Sequence, residues 1–320
     1  MLRDFAMASA LIVLTTVLSV LAVMGIGALL RRSGIVSKDA SASMSRVVAD
    51  VAFPALCLEG LSHAQRSTLQ SGAVVVGLGF VTLAIATGVG AIVVRMLAVR
   101  VESRPTAIFA IAIGNWIFLP LPVAEALYGA AGTTTVLLNN VGAQLFLWTL
   151  GIVILKRGKL EREAARAIVK SPGLWATLVG IVLALWGPIV PSWSAPIVAV
   201  VGGTLHFVAT LTIPLVSLAI GAQLAEPAAG TSDRRGVVAI VLGRMLFAPI
   251  VVSLIVQSAG LAREARMTEH LIAAMPVSLS AAALVQRYEG DTALVSRAIL
   301  VTTLLAVVTA PLWMRLAGGW

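Results

Sequence analysis

Two stretches decide the fold: GNWIFLPLPVAEALYG, residues 114–129, and AAMPVSLSAAALVQRYEG, residues 273–290. Each lies in a run apolar enough to cross a bilayer, yet each carries proline in its middle, at Pro120 and Pro122 in the first and Pro276 in the second. Proline removes a backbone donor and clashes with the preceding turn, so a helix holding it in its interior kinks or breaks. In hydrocarbon a break is tolerated only where neighbouring protein or a water-filled cavity satisfies the freed backbone groups. Both spans are therefore expected to be broken helices, with plain packing kinks as the alternative.

The surrounding chain is of the same kind. Of 320 residues, 59% are hydrophobic and only 12% charged, with a mean hydropathy of +1.01, too much apolar surface to hide in one water-soluble core. Runs near the roughly 20 residues that span hydrocarbon as a helix fall at 5–30, 47–61, 71–94, 107–128, 136–155, 172–186, 197–224, 236–256, 270–285 and 295–316. The expectation is an all-α polytopic membrane protein of about ten transmembrane helices. The first run exceeds the ~7 to 15 apolar residues of a cleaved signal and reads as retained, with a signal-anchor as the alternative. Most Lys and Arg fall in the odd-numbered loops, which by the positive-inside rule puts both termini outside an inner membrane. The net charge of +9 thus reflects topology, not nucleic acid, since the basic clusters lack interleaved aromatics. Cys57 is the only cysteine, which excludes an intrachain disulfide or a cysteine metal centre.

An internal repeat appears at an offset of 160 residues. Val48, Ala49 and Pro54 fall on Val208, Ala209 and Pro214, and the only two tyrosines, Tyr128 and Tyr288, fall on each other. The division is 1–160 and 161–320, five spans each. An odd number of spans per half turns the second half upside down, the inverted arrangement that recurs in secondary transporters. The basic segment 156–170 is the linker, read as a solvated or interfacial helix.

Interrupted helices in corresponding positions of two halves point to a midplane binding site, where half-helix N-termini present unpaired N–H groups to an anion. The candidates there are Gly114, Asn115, Pro120 and Pro122 in the fourth span and Met275 and Pro276 in the ninth. Asn139, Asn140 and Gln144 in the fifth offer uncharged donors and acceptors, or else interhelical hydrogen bonds. Arg244, inside the eighth span, would neutralise a carboxylate, or else pair with a group such as Asp50. Asp50 and Glu125 are the candidates for proton or ion coupling. His206 reads as a packed, hydrogen-bonded residue, and Trp186 and Trp193 as interfacial anchors. No metal site, cofactor or intramembrane catalytic pair is expected, because His63, His206 and His270 lie far apart in the chain.

These residues resemble the auxin efflux carrier family, whose bacterial members include malate and malonate permeases. Gly114, Asn115, Phe118 and Pro122 match a GN-x-GF-x-G-x-P type signature in the fourth span, with Ile117 and Pro120 replacing its two inner glycines. Pro276, Tyr288, Asp291, Thr302, Thr303 and Pro311 also stand in family-like positions, as do Ser171, Pro172, Pro214, Gly221 and Leu224. The resemblance implies a fold like that of plant auxin carriers and bile acid sodium symporters. In that fold a scaffold of the first, second, sixth and seventh spans faces a bundle with two crossed broken helices. It also implies small organic acids as substrates, moved by an elevator-like shift. The resulting expectation is a secondary transporter of small organic anions, with a homodimer conceivable and the coupling ion, proton or sodium, open. A channel or a signalling protein without turnover is the alternative, and an intramembrane enzyme is the reading least favoured.

Overall fold

The computed structural model describes residues 2–158, 169–187, 195–225 and 233–317, with side chains from residue 11 onward except at 195. The linker's central part and Trp193 lie outside the described residues. The chain is helical: α1 Leu2–Arg32, α2 Lys38–Ser62, α3 Gly72–Met96, α4 Arg104–Ala112, α5 Pro120–Leu155, α6 Pro172–Trp186, α7 Pro196–Leu224, α8 Arg234–Gln257, α9 Arg263–Ala273, α10 Leu279–Arg287 and α11 Thr292–Leu316. No β-strand occurs among the described residues, only one isolated antiparallel bridge between Gly114 and Val277.

Seven of these helices are long and apolar enough to cross a membrane, and α6, at 15 residues, is a shorter apolar helix. That is fewer than ten for a physical reason. The run at 107–128 is not one helix: α4 stops at Ala112, residues 113–119 are not helical, and α5 begins at Pro120. Proline is tolerated there because a first-turn N–H has no intrahelical partner in any case. α5 then bends at Gly129, whose φ of 57° and ψ of −143° suit glycine alone, so the limb 120–128 and the run beyond it point differently. The run at 270–285 is likewise divided, between α9 and α10. α9 starts seven residues earlier than the hydropathy of the sequence suggests, because Arg263, Glu264, Arg266 and Glu269 mask an otherwise buried face.

The helices pack in two groups. α1 lies along the C-terminal half of α7, and α2 packs against both α6 and α7. Gly27 and Gly221 each seat the backbone of the opposite helix, at Leu218 and Met24, the close approach that small residues allow where lipid supplies no hydrophobic drive between helices. In the other group α3 packs on α4 and α5, α9 on α5 and on the end of α8, and α11 on α8, α9 and α10. Large apolar side chains such as Leu18, Leu29, Val81, Trp175, Trp186, Phe207, Leu254, Leu304 and Val308 point outward, as a multi-pass membrane protein requires.

Candidate functional site

The two interruptions meet. Asn115 N–H donates to Pro276 O at 2.7 Å and Ser278 N–H to Ile113 O at 2.9 Å, so residues 113–115 and 276–278 run antiparallel. Val277 N–H donates to Thr302 Oγ1 at 3.2 Å on α11. Three of the amides freed by the breaks, those of Asn115, Val277 and Ser278, are thus satisfied by the other break or by one buried hydroxyl, which answers the cost of leaving them unpaired in an apolar interior. The crossing has two poles: the C-terminal ends of α4 and α9, and the N-terminal ends of the α5 limb and α10.

At the C-terminal pole sits Arg244, buried, on a π-helical turn, Gly243–Phe247, within α8. Its Nε donates to Met275 O at 2.8 Å, Nη2 to Ile272 O at 3.3 Å and Nη1 to Ile111 O at 3.5 Å. A guanidinium placed on helix C-terminal carbonyls meets the negative end of each helix dipole. A β-carbon at Gly114 would overlap the guanidinium, so a side chain there would push Arg244 off these carbonyls. Trp116 Nε1 donates to Asn140 Oδ1 at 3.0 Å, and Asn139 Nδ2 to Glu269 Oε2 at 2.7 Å. Glu269 is 1% exposed; its Oε1 and Asn139 Oδ1 are buried with no hydrogen-bond partner among the described residues. Thr82, Gly114, Trp116, Arg244 and Glu269 line a cavity of about 20 Å³, room for about one water.

At the N-terminal pole Asn115 Oδ1 accepts from Phe118 N–H at 3.1 Å, and Leu121 N–H donates to Ile117 O at 2.9 Å. Ser278, the residue before α10, has its Oγ 2.8 Å from Ser280 Oγ. A second cavity, of about 10 Å³, lies here between the two helix groups, lined by Met24, Ser217, Asn115, Pro276, Leu279 and Thr303 among others.

The fold therefore brings together Gly114, Asn115, Asn139, Asn140, Arg244, Met275 and Pro276. Pro120 and Pro122 stand in the first turn of α5, beside the break and not within it. Gln144 is turned away, accepting from Trp148 Nε1 at 3.0 Å on its own helix. Asp50 does not pair with Arg244: it is exposed, on the π-turn Val48–Ala52 of α2, in a groove with Pro54, Ala176, Val201 and Thr204. Glu125 is exposed on the α5 limb. His206 Nδ1 meets Glu59 Oε1 at 2.6 Å. Glu269 is the residue that reading the sequence missed. The helical spacing Ala265, Glu269, Ile272, all buried, was the available signal.

A family model described as "Membrane transport protein" matches the chain twice, over residues 12–167 and 158–314. An "Uncharacterized transporter" of Methanothermobacter thermautotrophicus is 26% identical over 303 residues, covering 93% of this chain and 96% of that protein. An "Uncharacterized transporter" of Methanocaldococcus jannaschii is 24% identical over 216 residues, 65% of each.

Proposed function

We propose, from the premise that this chain belongs to the membrane transport protein family, the auxin efflux carrier-like transporters, that it is a secondary carrier of small organic anions. Membership places it among transporters and not among enzymes. Counting each interrupted pair, α4 with the α5 limb and α9 with α10, as one discontinuous span gives ten spans with the termini outside an inner membrane. The halves 1–160 and 161–320 then lie inverted. The offset of 160 supports this: it carries α4, 104–112, onto 264–272 and the limb 120–128 onto 280–288, each within a residue of α9 and α10.

One observation carries the function: the paired breaks aim two helix N-termini at the cavity beside Asn115 and Pro276, between the two helix groups. Helix N-termini carry partial positive charge and free N–H donors, a ready site for a carboxylate. The two ends are unequal. Pro120 and Pro122 have no N–H, Leu121 N–H is taken by Ile117 O and Ala281 N–H by Ser278 O, so the backbone donors on offer are those of Leu279 and Ser280 at the start of α10. Asn115, whose Oδ1 accepts from Phe118, keeps its amide N–H groups for substrate. Arg244 acts at the far pole by clamping the carbonyl ends. Movement of the α3–α5 and α8–α11 group against α1, α2, α6 and α7 would carry the site across, elevator-like. The cavity there is far smaller than an organic acid, as a closed state between the two openings would be.

The test is uptake of labelled malonate, malate and indole-3-acetate by proteoliposomes holding the full chain. Saturable uptake of at least one, competed by other organic acids, is expected. Flux that stays linear with concentration for every acid tried would sink the carrier reading.

A further inference from the structure

Asp50 and Glu125 both lie away from the crossing, whereas the carboxylate of Glu269 is buried at it. We propose that Glu269, held by Asn139 and sharing a cavity with Arg244, is a proton-binding site that couples proton movement to anion movement. The inference rests on the anion-carrier reading above and adds the coupling ion and its residue.

Geometry identifies the occupant. Asn139 spends its Nδ2 on Glu269 Oε2, leaving two buried acceptors, Glu269 Oε1 and Asn139 Oδ1, without a donor. A proton on Glu269, with or without the single water the cavity admits, answers that need. A sodium ion does not: a hard cation wants a shell of oxygens. Here the nearby carbonyls of Ile111, Ile272 and Met275 already accept from Arg244, whose positive charge lines the same cavity. The groups facing Glu269 are few. α5 contributes Asn139, α8 contributes Arg244, α3 contributes Thr82, and the break contributes Trp116. On α9 itself Arg263 and Glu264 are exposed, Arg266 is half-buried, and His270 turns its Nδ1 to Ser253 on α8. α11 carries Arg297 and Arg315, both exposed.

The charges of the crossing then set the coupling. Each helix end counts for about half a unit charge. The C-terminal ends of α4 and α9 together cancel Arg244, and the N-terminal ends of the α5 limb and α10 leave about one positive charge. Ionised Glu269 makes the empty crossing neutral. A bound monocarboxylate makes it negative by one, and a proton on Glu269 restores neutrality. Charge is costly at membrane depth, so the forms that cross readily are empty with Glu269 ionised and loaded with Glu269 protonated. The cycle is symport of one proton with one monovalent anion.

The test begins with infrared difference spectra of the purified full chain, titrated with pH. Wild type should show a protonated carboxylic acid band that disappears as pH rises, and Glu269→Gln should lack it. Should that variant not purify as a monodisperse protein, Glu269→Asp carries the test by shifting the band's frequency. Identical spectra for wild type and variant across the pH range, or a band removed by sodium at constant pH, would overturn the proposal. The transport arm uses labelled indole-3-acetate in proteoliposomes. Glu269→Gln, fixed in the neutral form, should keep exchange at the wild-type rate and lose net uptake by tenfold or more, whereas equal loss of both contradicts the coupling. If wild type transports no acid, the carrier reading fails while the spectra still decide the proton site.

Discussion

At the residue scale the crossing depends on one cation and one missing side chain. Arg244 satisfies carbonyls from both breaks, and a lysine has neither the fork nor the reach to serve three acceptors. Arg244→Lys should therefore lower stability by about 1 to 3 kcal/mol, the cost of an orphaned buried acceptor, read as a drop in thermal midpoint in detergent. A variant of unchanged midpoint with a raised KM would place Arg244 on the substrate instead. Gly114→Ala should cost about 1 to 3 kcal/mol, as overpacking does, because the guanidinium and a β-carbon compete for the same space. Little of this was legible beforehand. Arg244 stood out as a charge inside an apolar run, but the sequence could not say that backbone carbonyls, and not Asp50 or a substrate, would surround it. Glu269 lay one residue outside the apolar run, since hydropathy averages over charges that a helix spreads onto different faces.

At the element scale the two interruptions of helix lie differently with respect to the prolines. Pro276 lies within its break, whereas Pro120 opens the helix after the other, because proline fits a first turn as well as it disrupts an interior. The tyrosine repeat has a backbone counterpart: Gly129 and Glu289, each directly after a tyrosine and again 160 residues apart, both take positive φ, 57° and 55°. Each ends the helical segment after a break. Gly129→Ala should destabilise by about 1 to 3 kcal/mol, the cost of a side chain in a glycine-only conformation, while Gly77→Ala, at a helical position with open space around it, should be neutral within about 0.5 kcal/mol. Parallel melting curves distinguish the two, and equal midpoints would mean that the bend at residue 129 is not fixed by the backbone.

At the scale of the whole molecule, composition sufficed for a multi-pass helical membrane protein, and the motifs for its family. The way α1, α2, α6 and α7 separate from the rest depends on which apolar faces match, which periodicity alone does not reveal. The proposed orientation rests on the distribution of basic residues and is checked in a Cys57→Ala background. An impermeant maleimide added to intact cells should label Gln65→Cys and spare Ser37→Cys, both exposed positions; the reverse pattern would invert the proposed topology. The central claim, that an organic anion is carried at the paired breaks, is tested most directly by counterflow in proteoliposomes preloaded with unlabelled malonate or indole-3-acetate. The account predicts transient accumulation of labelled acid by wild type and by Asp50→Asn, and a loss of about tenfold for Asn115→Ala, the effect of one hydrogen bond of about 1.4 kcal/mol. Accumulation that survives Asn115→Ala and disappears with Asp50→Asn would place the path in the α2 groove and contradict it.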